Sequence, residues 1–251
     1  PGLIHEAMRY SVFPGGKRLR PILLLATTEA LGKICKETVY AACAVEIVHS
    51  YSLVHDDLPC MDNSDYRRGK LSVHKKYDET IALLCGDALL SLGFRVLAKA
   101  VSALKGKTEC RAIFEEFADA IGSRGMIGGQ VAEYLMRDKE KTLPDIQYIH
   151  THKTGALIAH AIRLGGFFGN GSKKQIDKLF RFGEFLGFCF QIMDDVADND
   201  GYVLAVGPKA AQEEAARVFS TAKKEIRFLG RKAHRLIEIG EYVLAENVKE
   251  K

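Results

Sequence analysis

Two short runs of this chain gather carboxylates more tightly than a solvated surface requires. Asp56, Asp57 and Asp62 fall in the stretch His55-Asp56-Asp57-Leu58-Pro59-Cys60-Met61-Asp62, and Asp194, Asp195 and Asp198 fall in Gln191-Ile192-Met193-Asp194-Asp195-Val196-Ala197-Asp198. Like charges this close repel, so the arrangement makes sense around something strongly positive. Hard oxygen donors at this density suit Mg²⁺, which is usually held by one or two carboxylates plus substrate phosphates. Both runs adjoin strongly apolar stretches, where unpaired charge is costly. The pattern points to a diphosphate bridged by Mg²⁺ between two walls of a cavity.

The spacing says how the carboxylates are presented. Asp194 and Asp198 are four apart, so a helix stacks them on one face about 6 Å apart. Asp56 and Asp62 are six apart, which an ideal helix leaves on different faces. Pro59 between them lacks a backbone donor, so a bulge is expected there, bringing Asp62 back beside Asp56. Two basic segments complete the constellation: Gly15-Gly16-Lys17-Arg18-Leu19-Arg20-Pro21 and Arg67-Arg68-Gly69-Lys70. Arginine grips phosphate oxygens bidentately and lysine acts as a point charge.

The elements that must carry these residues read as helices. Apolar residues recur at three- and four-residue spacing through most of the chain, without strand alternation. Thr38 to His55 is apolar on nearly all sides, as a buried central helix would be. A second helix opens at Asp78-Glu79-Thr80 and runs to about Ala100. Lys105-Gly106-Lys107 breaks the chain before a helix from Thr108 to about Gly122. Thr142-Leu143-Pro144-Asp145 has the signature of a capped helix start. That helix is expected to reach about Leu164, where Gly165-Gly166 interrupts the pattern. Ile176 to Ala197 carries the second aspartate run, Pro208 opens a helix to about Phe228, and a last one follows from Arg231. With nine or ten helices, short connections and no linker, residues 1–251 form one all-α domain, a bundle with its site between facing helices.

Composition narrows the class. The 251 residues are 47% hydrophobic and 27% charged with a net charge of +4, ordinary for a globular protein and too weakly basic to argue for nucleic acid. No run of 18 consecutive apolar residues is present, so membrane insertion is not expected. The chain opens Pro1-Gly2-Leu3 without Met or a signal-like segment. We therefore expect a further N-terminal segment, which could carry a targeting peptide. Cys35, Cys43, Cys60, Cys85, Cys110 and Cys189 form no Cys-x-x-Cys pair. They read as reduced, buried thiols of a cytoplasmic protein.

Together and in this order, several motifs resemble one family. They are Gly16-Lys17-Arg18-Leu19-Arg20-Pro21, the first aspartate run with its Arg67-Arg68-Gly69-Lys70 tail, Gly86-Asp87-Ala88, Gly129-Gln130, His152-Lys153-Thr154-Gly155 and Gln191-Ile192-Met193-Asp194-Asp195. The chain resembles the trans-isoprenyl diphosphate synthases, and most of all the short-chain bacterial type that makes farnesyl diphosphate. The resemblance runs from Gly15 to the C-terminal helix. It implies an all-α isoprenoid-synthase fold, usually a homodimer, with a deep apolar cavity. It implies Mg²⁺ as cofactor, three ions per site with Mn²⁺ as a substitute, ligated by Asp56, Asp62 and Asp194. Asp57, Asp195 and Asp198 fill the other motif positions. Lys17, Arg20, His49 and Arg68 match positions that bind isopentenyl diphosphate. Arg67, Lys153, Thr154 and Gln191 match positions beside the allylic diphosphate and the developing cation. The implied reaction is ionisation of the allylic diphosphate, attack by the isopentenyl double bond and loss of a proton. No general base stands out in the motifs, so the departed diphosphate is the expected proton acceptor.

Product length turns on Tyr51, five residues before Asp56 and so about 7.5 Å further along the helix. A bulky ring there should form a floor, and with the small Ser52 it favours a C15 product. Geranylgeranyl diphosphate synthase, with a C20 product, is the alternative. The chain departs from the family after Asp198, where a loop of the form Gly-Lys-x-x-Gly-Lys-Asp is common. Here Asn199-Asp200-Gly201-Tyr202-Val203-Leu204-Ala205-Val206-Gly207 follows, and no lysine appears until Lys209. Two rivals share parts of the pattern. A class I terpene cyclase usually replaces the second aspartate motif and needs no isopentenyl site. A non-catalytic regulatory subunit tends to lose the aspartates, whereas all six are present here.

Overall fold

A computed structural model gives the fold and describes residues 1–13, 15–102, 104 and 107–245. The chain break expected at Lys105-Gly106 lies outside them. The described chain is almost wholly helical, with one two-stranded hairpin (Tyr66–Arg67 with Lys70–Leu71). The first helices are α1 (Gly2–Val12), α2 (Leu19–Leu31), α3 (Lys36–Asp56), α4 (Val73–Lys76), α5 (Glu79–Val101), α6 (Lys107–Ile121) and α7 (Met126–Leu135). The chain continues with α8 (Leu143–Ile149), a π-turn (His150–Gly155), α9 (Ala156–Phe168), α10 (Lys173–Asp198), α11 (Tyr202–Val206), α12 (Pro208–Glu225), a 3₁₀ segment (Arg227–Ala233) and α13 (His234–Ala245).

The long helices α3 and α10 are the two walls that the aspartate runs require. α3 is buried on more than one face, through Ala41, Ala42, Ala44, Val45 and Val48, and packs along α5. α10 packs between α9 and α12, while α2 lies on α9 and joins the halves. The larger core, with Phe117, Leu89 and Leu97, lies around α3 and α5, and a second core, with Phe182, Leu179 and Leu186, lies around α10. The helix starts follow their sequence signals. Asp78 accepts the Ile81 N–H at 2.7 Å ahead of α5, and Thr142 and Asp145 form a reciprocal capping box ahead of α8.

Several expectations are corrected. There are more helices than nine or ten, because α4 and α11 are too short to show a period and the stretch after Thr142 is divided by the π-turn. Gly165-Gly166 does not interrupt α9, which runs on to Phe168. A Cβ at Gly165 would press on the Leu24 carbonyl and Thr27 of α2, so the glycines let two helices approach. The helix from Pro208 ends at Glu225, earlier than Phe228, and the 3₁₀ segment, rather than an α-helix, follows. The cysteines are all free, but only Cys85 and Cys189 are buried; Cys35, Cys43 and Cys60 are exposed. Finally, α5 is long and apolar enough to cross a membrane by length and composition, yet it packs on α3 along one side and carries Asp87, Arg95 and Lys99.

Candidate active site

The first wall is built where α3 ends. Pro59 terminates the helix rather than bulging it, and the chain curls back through Asn63, whose φ of 49° is left-handed. The Asp62 N–H then donates to the Asp56 carbonyl at 2.9 Å, which places the two aspartates together as their spacing required. Asp57 turns the other way. It is 2% exposed and accepts from Arg67 twice, from Nε at 3.0 Å and from Nη2 at 2.5 Å. Arg67 stands at the end of the hairpin, whose turn residues Arg68 and Gly69 both have positive φ. Such a turn matches the twist of the paired strands. It swings Arg68 back over Gly16, where a Cβ would meet the guanidinium, and toward Glu46 at 3.5 Å.

The second wall is the last turn of α10. Asp194 and Asp198 line the opening with Asp56 and Asp62 opposite, while Asp195 is buried. Between the walls lies a polar mouth of about 310 Å³, lined by Asp56, Asp62, Arg67, Glu133, Lys141, His150, Lys153, Thr154, Gln191, Asp194, Asp195, Asp198 and Asp200 among others. It runs straight into a deeper cavity of about 490 Å³, the two sharing Leu53, Asp56, Lys153, Thr154, Gln191 and Asp194. The deep part is largely apolar, with Leu58, Leu83, Met126, Ile127, Val131 and Phe190 in its wall. Tyr51 and Ser52 line it as well. Tyr51 is 5% exposed, its hydroxyl is buried without a partner among the described residues, and its ring stands edge-on to His55 at 5.8 Å.

The expected cations are distributed around this cavity. Arg20 and His49 enter the deep part together, with Nη1 and Nε2 3.1 Å apart. Lys17 lines a neighbouring groove that shares Phe190 with the cavity, so it sits beside the site rather than in it. Arg68 is buried, yet its Nε and Nη1 have no hydrogen-bond partner among the described residues. Buried donors are nearly always satisfied, so an anion is the natural complement. Lys209, the first lysine after the second aspartate run, is 91% exposed, pairs with Glu213 at 4.0 Å and does not line the mouth.

The electrostatics of the mouth suit a divalent cation. Burial pushes the Asp56 carboxyl up to about 6, with the charges of Asp62 and Glu133 adding to the rise. Burial alone would lower the Lys153 ammonium, but the Glu133 and Asp56 carboxylates more than offset it. Among the described residues no three His, Cys, Asp or Glu side chains converge on one point to hold a metal unaided. The donors instead face each other across the mouth, which suits an ion that takes its remaining ligands from a phosphate.

Sequence reasoning missed the partners of these residues. Glu133 pairs with Lys153, Arg137 donates to the Met61 carbonyl at 2.9 Å and to Asp62 at 3.1 Å, and Glu46 pairs with Arg18 and Arg68. Glu46 had a signal, a carboxylate in the middle of an apolar helix. Glu133 and Arg137 had none, because their roles depend on how α7 docks. A Cβ at Gly129 would collide with the Lys153 backbone nitrogen, so that glycine sets the approach of α7 to the π-turn.

The family model for polyprenyl synthetases matches residues 1–213. The chain belongs to the polyprenyl synthetase family. It is 40% identical over 266 residues to a chloroplastic geranylgeranyl pyrophosphate synthase from Capsicum annuum, covering 97% of this chain and 71% of that one. It is 39% identical over 215 residues to a farnesyl diphosphate synthase from Geobacillus stearothermophilus, covering 86% and 72%. The chain spans 57% of the length of geranylgeranyl pyrophosphate synthase 4 from Arabidopsis thaliana. In structure it is similar to an FPP/GFPP synthase from Zymomonas mobilis, with a TM-score of 0.92 at 34% identity over 97% of this chain and 88% of that one. As a polyprenyl synthetase it is a transferase that acts on prenyl groups, and its all-α fold is that of its solved relatives.

Proposed function

We propose that this polyprenyl synthetase condenses isopentenyl diphosphate with dimethylallyl or geranyl diphosphate to give farnesyl diphosphate. The observation that carries the reading is the continuity of the two spaces: the apolar cavity begins at the carboxylates of Asp56 and Asp194 and runs past Tyr51. A diphosphate held at the mouth puts its prenyl tail into that cavity.

Asp56, Asp62 and Asp194 would hold Mg²⁺, which when bound would supply charge neutralisation to the leaving diphosphate. The chain's own residues do the rest. Lys153 and Arg67 flank the diphosphate and stabilise the negative charge that grows as the allylic C–O bond breaks. Thr154 and Gln191, at the junction of mouth and cavity, face the allylic carbon as it becomes a cation. Arg20 and His49 hold isopentenyl diphosphate so that its double bond lies against that carbon, with Arg68 and Lys17 as further cations beside the cavity. The apolar walls exclude water, which would otherwise trap the cation. The new C–C bond forms, and a proton leaves the condensed chain for the departed diphosphate.

A C20 product is the second reading, favoured by similarity to the pepper enzyme. A homodimer is favoured by the exposed Leu84 on α5. The test of the main reading is incubation with Mg²⁺, isopentenyl diphosphate and an allylic diphosphate, with product length read by mass spectrometry. A C15 product is expected. A C20 product would move the floor beyond Tyr51, and no condensation by folded protein would overturn the reading.

A further inference from the structure

Asp195 sits between two aspartates that open onto the mouth, yet its own carboxylate is turned into the protein and the residue is 8% exposed. Oδ2 accepts the Tyr202 N–H at 2.6 Å and lies 3.1 Å from His150 Nε2. Oδ1 is 3.4 Å from Gln191 Nε2. The turn that ends α10 is moulded around this carboxylate. Gly201 has a φ of 47°, and a Cβ there would run into the Asp195 oxygens.

His150 is 5% exposed and opens the π-turn that also carries Lys153 and Thr154. A carboxylate can only accept, so Nε2 carries the shared hydrogen. The π-turn and α10 already pack on one another, and the contact from His150 to Asp195 adds a polar link between the element bearing the diphosphate-facing cation and the element bearing Asp194 and Asp198.

We infer that His150 is a positioning residue of the prenyl-transfer site: by donating to Asp195 it fixes the end of α10 against the π-turn, and Asp195 serves as the anchor of that joint, not as a metal ligand. This rests on the reaction proposed above but is read out separately from it. Residues that orient metal ligands through hydrogen bonds typically cost about 10–100-fold in metal affinity or activity when removed.

The test compares His150→Leu, which loses the donor, with His150→Gln, whose amide nitrogen can occupy the place of Nε2. Binding of Mg²⁺ with inorganic pyrophosphate is measured by calorimetry, alongside kcat, the KM for isopentenyl diphosphate and thermal unfolding. His150→Leu is expected to weaken Mg²⁺–pyrophosphate binding and lower kcat about tenfold or more. It should leave the isopentenyl KM within about twofold, because the contact does not touch that half of the site, and His150→Gln should restore most of both losses. Equal impairment by Leu and Gln, or none by Leu, would overturn the inference. Should His150→Leu fail to fold, Asp195→Asn and Asp194→Asn decide: an anchor predicts the milder loss of Mg²⁺–pyrophosphate affinity in Asp195→Asn, and equal losses would make Asp195 a ligand. If the parent protein binds Mg²⁺–pyrophosphate but condenses nothing, the proposed reaction falls while the calorimetry still reads the role of His150.

Discussion

The backbone N–H of Asp62 donates to the carbonyl of Asp56 at 2.9 Å, so two aspartates six apart in sequence stand side by side at the rim of an apolar cavity. This pairing is made by a helix that stops, and it places like charges together in a partly buried setting. The stability of the protein should register that strain.

Burial holds the Asp56 carboxyl at about 6, above its ordinary 3.8. A raised carboxyl pKa means that the fold disfavours the charged form. The penalty is full above pH about 6, shrinks as pH falls and is gone below about 4. Asp56→Asn should therefore stabilise the metal-free protein by about 1–3 kcal/mol at pH 8 and by nothing at pH 4, while removing prenyl transfer. Urea unfolding at the two pH values checks the difference.

Tyr51→Ala should lengthen the product. The ring is buried at the side of the deep cavity, and its hydroxyl has no partner among the described residues to hold it for any other purpose. Removing it extends the cavity by most of an aromatic side chain, so C20 should replace C15 as the main product. Mass spectrometry of the diphosphates reads this directly, and an unchanged product distribution would rule out Tyr51 as the floor.

Asp57→Ala should destabilise the fold by about 2 kcal/mol. Breaking a buried pair is usually worth more, but Arg67 keeps 27% of its side chain in solvent and screening reduces the loss. Freed from its bidentate partner, Arg67 should also lose its fixed aim at the mouth, raising the KM for the allylic diphosphate. Denaturant titration and steady-state kinetics on one variant separate the two effects.

Gly129→Ala should act at a distance from any ligand. The added methyl would collide with the Lys153 backbone and push α7 from the π-turn. Overpacking of this kind costs about 1–3 kcal/mol. A fall in kcat larger than the loss of stability explains, measured well below the unfolding temperature, is the expected signature of a displaced Lys153.

The carboxylates and cations were legible because their chemistry is local: six aspartates in two runs, and two glycine-containing basic segments, need no fold to be noticed. The long helices were legible from apolar spacing, with α3, α5 and α10 ending within a few residues of expectation. What escaped was orientation. Asp57 and Asp195 look like their neighbours in sequence, but each points inward and serves a protein partner, Arg67 and His150. Neither contact follows from a period, since one depends on a hairpin turn at Arg68-Gly69 and the other on how the π-turn packs against α10. The end of α3 at Pro59 was misread as a bulge for the same reason: the proline announces a break, and tertiary contacts decide its form.

The lining of the mouth also sets what can approach it. Asp56, Asp62, Glu133, Asp194, Asp198 and Asp200 bring six carboxylates against the three cations Arg67, Lys141 and Lys153. An incoming diphosphate without a divalent counter-ion meets an entrance of its own sign, and only its metal complex is drawn inward. The doorway thus imposes an order of arrival, discriminating between two ionic forms of one molecule before any part of the prenyl chain is recognised. Added salt, by damping that repulsion, should narrow the difference in association rate between the two forms.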